Sequence, residues 1–351
     1  MKINFIVAAA DNTGGARVIA QYASGLMKLG HEVVVISPPH GASGRLNRLL
    51  DALFPMAKSR RKNHFEHLGV PIKMLNRFRP VRSSDVPDGD VLIATWWETA
   101  VWIKDFPQEK GKKIHFVQGY EIWNGQIEEV HNALRLQIPK VTISDWLASK
   151  IEHLGLDRPT VILNGVDHWL FAPVAQILDN HASVGFVFAN SFQKGSDIAL
   201  SAIKIAREIE PNIKVIAFGH VRPAQHMIDT EKISFIVSPE QTTLSEIYSS
   251  CSVWLFPSRE EGFGLPILEA LSCGTPVIAC PAGAAPDILR HGGGSLLKTF
   301  EAEEMASEII RYIKMSKEEI NIKSQSALYT ASKYSWDKSI KKFEQKILSV
   351  N

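Results

Sequence analysis

A length of 351 residues, an apolar share of 45% and a charged share of 22% are ordinary for a globular chain, and this length predicts two domains. A net charge of +2 argues against bulk binding of a polyanion, although a local basic patch could still bind one, and no nucleic-acid partner is expected. The three cysteines, Cys251, Cys273 and Cys280, are odd in number and lack metal-ligand spacing, which predicts buried thiols in a reducing compartment. Apolar runs all fall short of the ~18 residues of a membrane span, so we expect a cytoplasmic protein.

The first forty residues predict a βαβ unit. The short apolar run Ile3–Ala10 is typical of a buried strand rather than of a signal sequence. Apolar residues then repeat at helical spacing from Val18 to Leu29, Gly30 is placed to end the helix, and a second strand follows at Val33–Ile36. Further strands are predicted at Val91–Thr95, Ile114–Val117, Val141–Ser144 and Val161–Leu163. This alternation predicts a parallel sheet that binds ligands at the carboxyl ends of its strands.

The second half of the chain restarts the alternation after a stretch, 164–180, without clear periodicity. Helices are predicted at Ser196–Ile209, Pro266–Ser272 and Trp336–Leu348. Strands are predicted at Gly185–Ala189, Lys214–Gly219, Ile233–Val237, Val253–Pro257 and Pro276–Ala279. We therefore predict an α/β protein with two doubly wound, Rossmann-like domains, at residues 1–165 and 166–335, and a C-terminal helix at 336–351 that packs back on the first domain.

The strongest chemical signal is the segment SREEGFGLPILEA, from Ser258 to Ala270. It follows a predicted strand, passes through glycines and enters a helix, with Pro266 suited to the first helical turn. Glycines let the backbone approach a ligand, and the free N–H groups at a helix start can hold a diphosphate. Glu261 in the loop and Glu269 on the helix can each accept hydrogen bonds from vicinal hydroxyls, one pair on a sugar and one on a ribose. The alternative is a glycine-rich loop with two solvated glutamates.

Together with the sequence CGTPVIA that follows it, this segment resembles the donor site of family 4, or group 1, glycosyltransferases. Shorter segments agree in the same order: GGARV at 14–18, GHEV at 30–33, NGVD at 164–167, KG at 194–195 and YSW at 334–336. The resemblance implies the GT-B fold, with a nucleotide-sugar bound in the cleft between two domains. It also implies metal-independent transfer, with retention, of a hexose-type sugar to a glycan or lipid-linked acceptor, in cell-envelope polysaccharide or lipopolysaccharide synthesis.

The resemblance also assigns roles to single residues. Glu261 should contact the donor sugar, Glu269 the ribose, and Lys194 the diphosphate, because the charge on the leaving group needs preorganised donors where no metal is present. The alternative for Lys194 is a solvated lysine at a helix start, which the helix dipole disfavours. The nucleotide-sugar is a co-substrate, so no cofactor and no metal are expected. The remaining donor-binding residues are expected to be Gly14, Gly15, Asn190, Phe263, Gly264 and Leu265.

Two positions depart from the family pattern. The family usually carries an arginine shortly before the lysine of the KG pair, whereas the matching strand end here holds Asn190, so Arg222 or Arg259 is the candidate for the missing charge. Many members carry a histidine after the fourth strand of the first domain, where this chain has Gln118. An amide cannot act as a base. Gln118 is therefore expected either to bind the transferred sugar, as part of the catalytic site, or to be an ordinary polar strand end.

Aromatic side chains with adjacent carboxylates follow two strands of the first domain and suit sugar recognition. The alternative is that these aromatic side chains only pack against the protein at the strand ends. We predict on this basis that the acceptor-binding residues are Trp97, Glu98, Tyr120 and Glu121.

The sequence supports other functions less well. The loop after the first strand has no G-x-G-x-x-G, which argues against a nicotinamide dinucleotide. Asp88-Gly89-Asp90 has the D-x-D form that binds metals in the other glycosyltransferase fold, but it immediately precedes a predicted strand and is typical of a turn. A GT-B sugar phosphorylase and a non-catalytic nucleotide-sugar-binding protein stay open as alternatives.

The stretch Arg45–Arg82 is strongly basic, with a net charge of +8 that leaves −6 for the rest of the chain. An apolar stripe at helical spacing is added by Leu46, Leu49, Leu50, Leu53 and Phe54. Basic and apolar residues together are typical of an element that binds an anionic membrane surface, which predicts a peripheral protein on the cytoplasmic face of the membrane. A solvated loop with one core-facing helix explains the composition equally well.

Overall fold

The computed structural model describes residues 1–39, 62–122, 126–174, 182–224 and 233–350. The chain divides into two compact units. The first contains Met1–Ile143, Leu147–Ile162 and the C-terminal segment from Trp336, and the second contains Ser144–Trp146 and Leu163–Ser335. The predicted boundary after residue 165 therefore lies close to the point where the chain enters the second unit.

A parallel sheet forms the centre of the first unit. Its strands, in the described part of the chain, are β1 (Lys2–Ile6), β2 (Glu32–Ser37), β3 (Ile72–Met74), β4 (Val91–Ala94), β5 (Lys112–Val117), β6 (Lys140–Thr142) and β7 (Thr160–Val161). Their order across the sheet is β3-β2-β1-β4-β5-β6-β7. The helices of this part are α1 (Gly14–Lys28), α2 (His64–His67), α3 (Trp97–Ile103), α4 (Ile127–Arg135) and α5 (Asp145–Glu152).

The second unit has a parallel sheet of its own. Its described strands are β8 (Ser183–Val187), β9 (Lys214–Gly219), β10 (Ile233–Val237), β11 (Val253–Phe256), β12 (Val277–Ala279) and β13 (Gly294–Leu296). They follow the order β10-β9-β8-β11-β12-β13. The helices are α6 (Ser196–Ile209), α7 (Leu244–Ser249), α8 (Leu265–Ser272), α9 (Ala285–Leu289), α10 (Ala302–Ile313) and α11 (Lys317–Ala331).

The last helix, α12 (Trp336–Val350), belongs to the first unit and packs on α1. The ring of Phe343 lies 4.8 Å from that of Tyr22 and 5.0 Å from that of Phe116, centroid to centroid. At the rim of the contact, Nε2 of His31 and a carboxylate oxygen of Glu344 are 2.7 Å apart. The apolar stripe of the C-terminal segment is thus buried against the helix that follows the first strand.

The first strand is shorter than predicted. β1 ends at Ile6, and the N–H of Ala10 donates to the Oγ of Ser37 rather than to a strand backbone. A run of apolar residues marks burial on both faces of a parallel sheet, but it also continues into the buried turn that leads to α1. The predicted strand Ile3–Ala10 is therefore wrong in its last residues.

The D-x-D segment lies at the amino end of β4, away from the carboxyl edge of the sheet. A carboxylate oxygen of Asp90 accepts the N–H of Lys2 at 2.7 Å, and Asp88 forms an ion pair with Lys110 at 2.7 Å. Both carboxylates are thus held by neighbouring protein groups, as expected of a turn into a strand.

Candidate donor site and the predicted acceptor residues

The carboxyl ends of β8 and β11 form the switch point of the second sheet. The strand order runs outward in opposite directions from this pair. Connections that leave a parallel sheet in opposite directions open a crevice where ligands bind. Asn190 and Lys194 lie in the loop after β8, and Glu261 lies in the loop after β11. Topology therefore brings together residues that are about seventy positions apart in sequence.

Gly195 lets these two loops pack closely. It has a φ of +64°, and a Cβ atom at this position would lie 2.0 Å from the carbonyl oxygen of Pro257. A residue with a side chain would be strained by the backbone conformation and would also clash with backbone. Gly195 thus fixes the position of the preceding turn, Phe192–Lys194, against the end of β11.

Lys194 and Glu261 form an ion pair in which Nζ donates to Oε1. The lysine side chain is 42% exposed and the glutamate side chain 17% exposed, so both remain accessible from solvent. A cation of this kind can neutralise a diphosphate, and a fixed carboxylate can accept hydrogen bonds from sugar hydroxyls. The structure places both predicted catalytic residues of this unit in one contact.

Arg259 ties the same two loops together. Its guanidinium makes two hydrogen bonds of 2.7 Å to the carboxylate of Asp197, and its backbone N–H donates to the carbonyl of Gln193 at 2.8 Å. The hydrogen bond from Arg259 lowers the pKa of Asp197. The guanidinium also lies over the ring of Phe192, 4.0 Å from its centroid. These contacts show that Arg259 holds the two loops against each other. A further role for Arg259 in place of the arginine that the family usually carries stays a prediction.

The start of α8 supplies backbone donors beside this contact. Gly264 has a φ of +97°, and a Cβ atom there would lie 2.7 Å from the Phe256 ring. The carbonyl of Phe263 accepts the N–H of Ala284 at 2.8 Å, which anchors the loop from the other side. The first N–H groups of a helix have no partner within it, and the helix dipole makes this end positive. These features are compatible with an anion at this turn, and donor binding by Phe263, Gly264 and Leu265 stays a prediction.

Glu269 differs from Glu261 in its surroundings. It is only 4% exposed, on the buried side of α8. Its Oε2 accepts a hydrogen bond of 2.8 Å from the hydroxyl of Tyr248, on α7. This tyrosine is not predictable from local sequence patterns, because the two residues lie on different helices.

The three cysteines are buried and free of disulfides, as predicted. Burial raises the pKa of each thiol, Cys251, Cys273 and Cys280, to about 12. They are therefore protonated at neutral pH and unsuited to nucleophilic chemistry.

In the first unit, Gly15 and Gln118 are neighbours. A Cβ atom on Gly15 would lie 4.0 Å from the Oε1 of Gln118. Gly14 precedes it at the exposed start of α1, where an added Cβ atom would meet no other atom within 4 Å. The Oε1 atom of Gln118 is buried and has no hydrogen-bond partner among the residues that the structure describes. His115, on the opposite face of β5, is buried, and this burial lowers its pKa to about 3.

Of the four predicted acceptor-binding residues, Trp97 and Glu98 begin α3, and Tyr120 and Glu121 lie in the loop after β5. Trp97 and Tyr120 pack against the apolar cluster that contains Val117, and the hydroxyl of Tyr120 lies 2.6 Å from the Nε2 of His131. Glu121 is 6% exposed and accepts a hydrogen bond from the backbone N–H of Trp97.

Burial raises the pKa of Glu121 to about 8, and the nearby charge of Glu98 adds to this effect. Burial also raises the pKa of Glu98, which is only partly covered. Tyr120 and Glu121 thus have structural partners within the protein. Acceptor binding by this group of residues stays a prediction.

Sequence comparisons match part of the chain to a known family model. Residues 172–328 match the family model of group 1 glycosyl transferases. An uncharacterized glycosyltransferase of Methanocaldococcus jannaschii is 28% identical over 209 residues, which are 57% of this chain and 56% of that protein. A D-inositol 3-phosphate glycosyltransferase of Mycobacterium leprae is 30% identical over 121 residues, 34% of this chain and 28% of that protein. The chain thus spans about half the length of the first relative and less of the second.

Solved structures resemble the chain over nearly all of its length. HepE of Anabaena in complex with UDP is 17% identical, with a TM-score of 0.78, over 99% of this chain and 100% of that one. Its complex with UDP-glucose gives a TM-score of 0.76. Sucrose-phosphate synthase of Thermosynechococcus elongatus is 15% identical, with a TM-score of 0.74, over 100% of this chain and 99% of that one. This likeness confirms the predicted GT-B fold with two Rossmann-like domains.

Proposed function

We propose that this chain, which belongs to the group 1 glycosyl transferases, moves a hexose-type sugar from a nucleotide-sugar to a glycan or lipid-linked acceptor. The transfer proceeds with retention of anomeric configuration and without a metal ion. The observation that carries the proposal is the Lys194–Glu261 pair at the β8–β11 switch point, beside the start of α8. Complexes of the structurally similar HepE with UDP and UDP-glucose support a nucleotide-sugar as the donor class.

The proposed mechanism stabilises the charge that develops on the leaving nucleoside diphosphate. Lys194 turns from Glu261 to the diphosphate, and the N–H groups between Phe263 and Leu265 donate to the same oxygens. Glu261 then accepts hydrogen bonds from the hydroxyls of the donor sugar. Glu269 accepts those of the ribose, and Asn190 is assigned to the same donor. In the first unit, we assign Gln118 to a sugar hydroxyl, because its buried oxygen lacks a partner among the described residues.

A screen of UDP-, GDP- and dTDP-hexoses with glycan and lipid-linked acceptors tests the function. One donor should support transfer, and proton NMR of the product should show the anomeric configuration of the donor sugar. An inverted product would contradict the retaining mechanism. A requirement for inorganic phosphate would indicate a sugar phosphorylase, and donor binding without turnover a non-catalytic binding protein.

We further propose that the stretch Arg45–Arg82 docks the enzyme on an anionic membrane, where glycans in cell-envelope polysaccharide or lipopolysaccharide synthesis grow on lipid carriers. Residues 45–61, with the whole of the predicted apolar stripe, lie outside the described residues. In the described part, Met74 and Phe78 are 46% and 52% exposed in a segment that also exposes Lys73 and Arg77. This combination of apolar and basic side chains supports a membrane surface as the partner.

One charge in this stretch is already neutralised. Arg79 makes hydrogen bonds of 2.6 and 2.7 Å to the carboxylate of Asp85, and this contact lowers the pKa of Asp85 to about 2. In the described part of the chain, no helix is long and apolar enough to span a membrane.

Vesicle cosedimentation at low and high salt tests the docking proposal. Binding should require anionic lipid, weaken with salt and decrease when Arg60, Arg61 and Lys62 are changed to Ser, because each basic residue contributes about 1 kcal/mol near such a surface. A matched variant with Lys317, Lys323 and Lys333 of the second unit changed to Ser should bind as the parent does. Absence of vesicle binding, or equal binding by both variants, would contradict docking through this stretch.

A further inference from the structure

A buried hydrogen bond joins the second glutamate of the donor segment to a tyrosine on another helix. The hydroxyl of Tyr248 donates to Oε2 of Glu269 at 2.8 Å, and the tyrosine is fully buried. A carboxylate that is 4% exposed is rarely found without donors to its oxygens, because its desolvation is costly. The bond therefore fixes where this carboxylate points.

Aromatic rings hold the tyrosine in place. The ring of Tyr248 lies 4.5 Å from that of Trp254 and 6.1 Å from those of Phe171 and Phe218. Because the ring is enclosed by these neighbours, its hydroxyl is confined to one place next to α8.

The backbone of Tyr248 is tied to the helix that carries the glutamate. Its carbonyl oxygen accepts the hydroxyl of Thr275 at 2.7 Å. The backbone N–H of Thr275 in turn donates to the carbonyl of Ala270, next to Glu269, at 2.9 Å. The tyrosine and the carboxylate are therefore held in one rigid arrangement by both a side-chain and a backbone contact.

We propose that Tyr248 is a positioning residue that orients Glu269 for the ribose of the nucleotide. This inference rests on the proposed function, in which Glu269 accepts the ribose hydroxyls. A carboxylate has about four acceptor sites, and the hydroxyl of Tyr248 occupies one of them. Because the carboxylate is oriented before the ligand arrives, less conformational entropy is lost on binding. The Tyr248–Glu269 pair thereby selects ribonucleotides over nucleotides that lack the 2′ and 3′ hydroxyls.

Calorimetric affinities for UDP, GDP and ADP, each beside its 2′,3′-dideoxy analogue, test this inference. The parent protein should bind its preferred ribonucleotide at least about tenfold more tightly than the analogue, a factor that corresponds to about one hydrogen bond. Tyr248→Phe should lose about tenfold in affinity for the ribonucleotide and keep its affinity for the analogue. Tyr312→Phe removes a hydroxyl from another buried tyrosine of the same unit, on α10, and should behave as the parent does.

The outcomes separate the inference from the proposed function. Equal losses on both ligands would indicate a packing defect and overturn the positioning role, as would an unchanged preference in Tyr248→Phe. If the parent protein binds a nucleotide and its dideoxy analogue equally, Glu269 does not bind the ribose. That result would contradict this part of the proposed function and would overturn the inference. If Tyr248→Phe does not fold, Thr275→Val, which removes the backbone anchor of Tyr248, should still reduce ribonucleotide affinity selectively. A non-selective effect of that variant would overturn the inference.

Discussion

Replacing Lys194 by alanine should impair catalysis while leaving the fold almost unchanged. The kinetic loss follows from removing one preorganised contact to the developing charge, which costs ~2–4 kcal/mol of transition-state stabilisation, or roughly 30- to 1,000-fold in kcat/KM. Glu261→Ala should cause a loss of the same order. The double variant should lose less than the two single losses combined, because each residue orients the other.

The effect on stability should be small. The lysine side chain is 42% exposed, so solvent screens its ion pair with Glu261. A pair of this kind contributes ~0.2–1 kcal/mol to the free energy of unfolding. The corresponding change in Tm is at most about 4 °C for a domain of this size.

Steady-state kinetics with varied donor, together with thermal unfolding of the same samples, measure both quantities. Lys204→Ala is the matched control, because Lys204 is an exposed lysine on α6 of the same unit. A folded Lys194→Ala protein whose kcat/KM stays within about threefold of the parent would refute the assignment. A large decrease in Tm would show instead that Lys194 acts mainly on the fold.

Three further outcomes are expected. Transfer should proceed in excess EDTA. Activity that EDTA abolishes and manganese or magnesium restores would contradict the metal-independent mechanism and would favour a metal site at Asp88 and Asp90. Glu269→Ala should act mainly on the KM for the donor, since ribose contacts change little during the reaction, so a loss confined to kcat would contradict its role. Glu121 has a folded-state pKa of about 8, above the ordinary value of 4.5. Between pH 4.5 and about pH 8, the native state therefore keeps a proton on Glu121 that the unfolded chain has released. The free energy of unfolding should fall as the pH rises through this range. Glu121→Gln should remove that dependence, which Tm values from pH 4 to pH 9 would measure; identical pH profiles of the two proteins would rule it out.

Local patterns in the sequence were sufficient for much of the second unit. The helix α6 and the strands β9 and β10 have the predicted bounds, because strong periodicity, or a short apolar run between turn residues, marks each of them. The loop after β11 was predicted as a ligand loop from its glycines and from Pro266. One of these glycines, Gly264, has a positive φ and lies against the ring of Phe256, where a side chain would clash.

Other features depend on contacts between distant parts of the chain. Asp197, Arg259 and Tyr248 acquire their roles only when the order of the strands brings separate loops and helices together. The role of Glu121 also depends on such a contact. In the sequence, a carboxylate that faces a ligand cannot be distinguished from one that caps a neighbouring helix, since both follow a strand. β3 was not predicted either, because three residues within a basic stretch carry no detectable period.

The central claim, that the β8–β11 switch point binds a nucleotide-sugar, is tested most directly by thermal unfolding with UDP-, GDP- and dTDP-sugars in the presence of EDTA. A ligand at a hundred times its Kd stabilises the native state by about 2.7 kcal/mol. We expect one nucleotide-sugar to raise the Tm of the parent protein and of Lys204→Ala, and to have little effect on Lys194→Ala. An equal increase in Lys194→Ala, or no increase with any nucleotide-sugar, would contradict the claim.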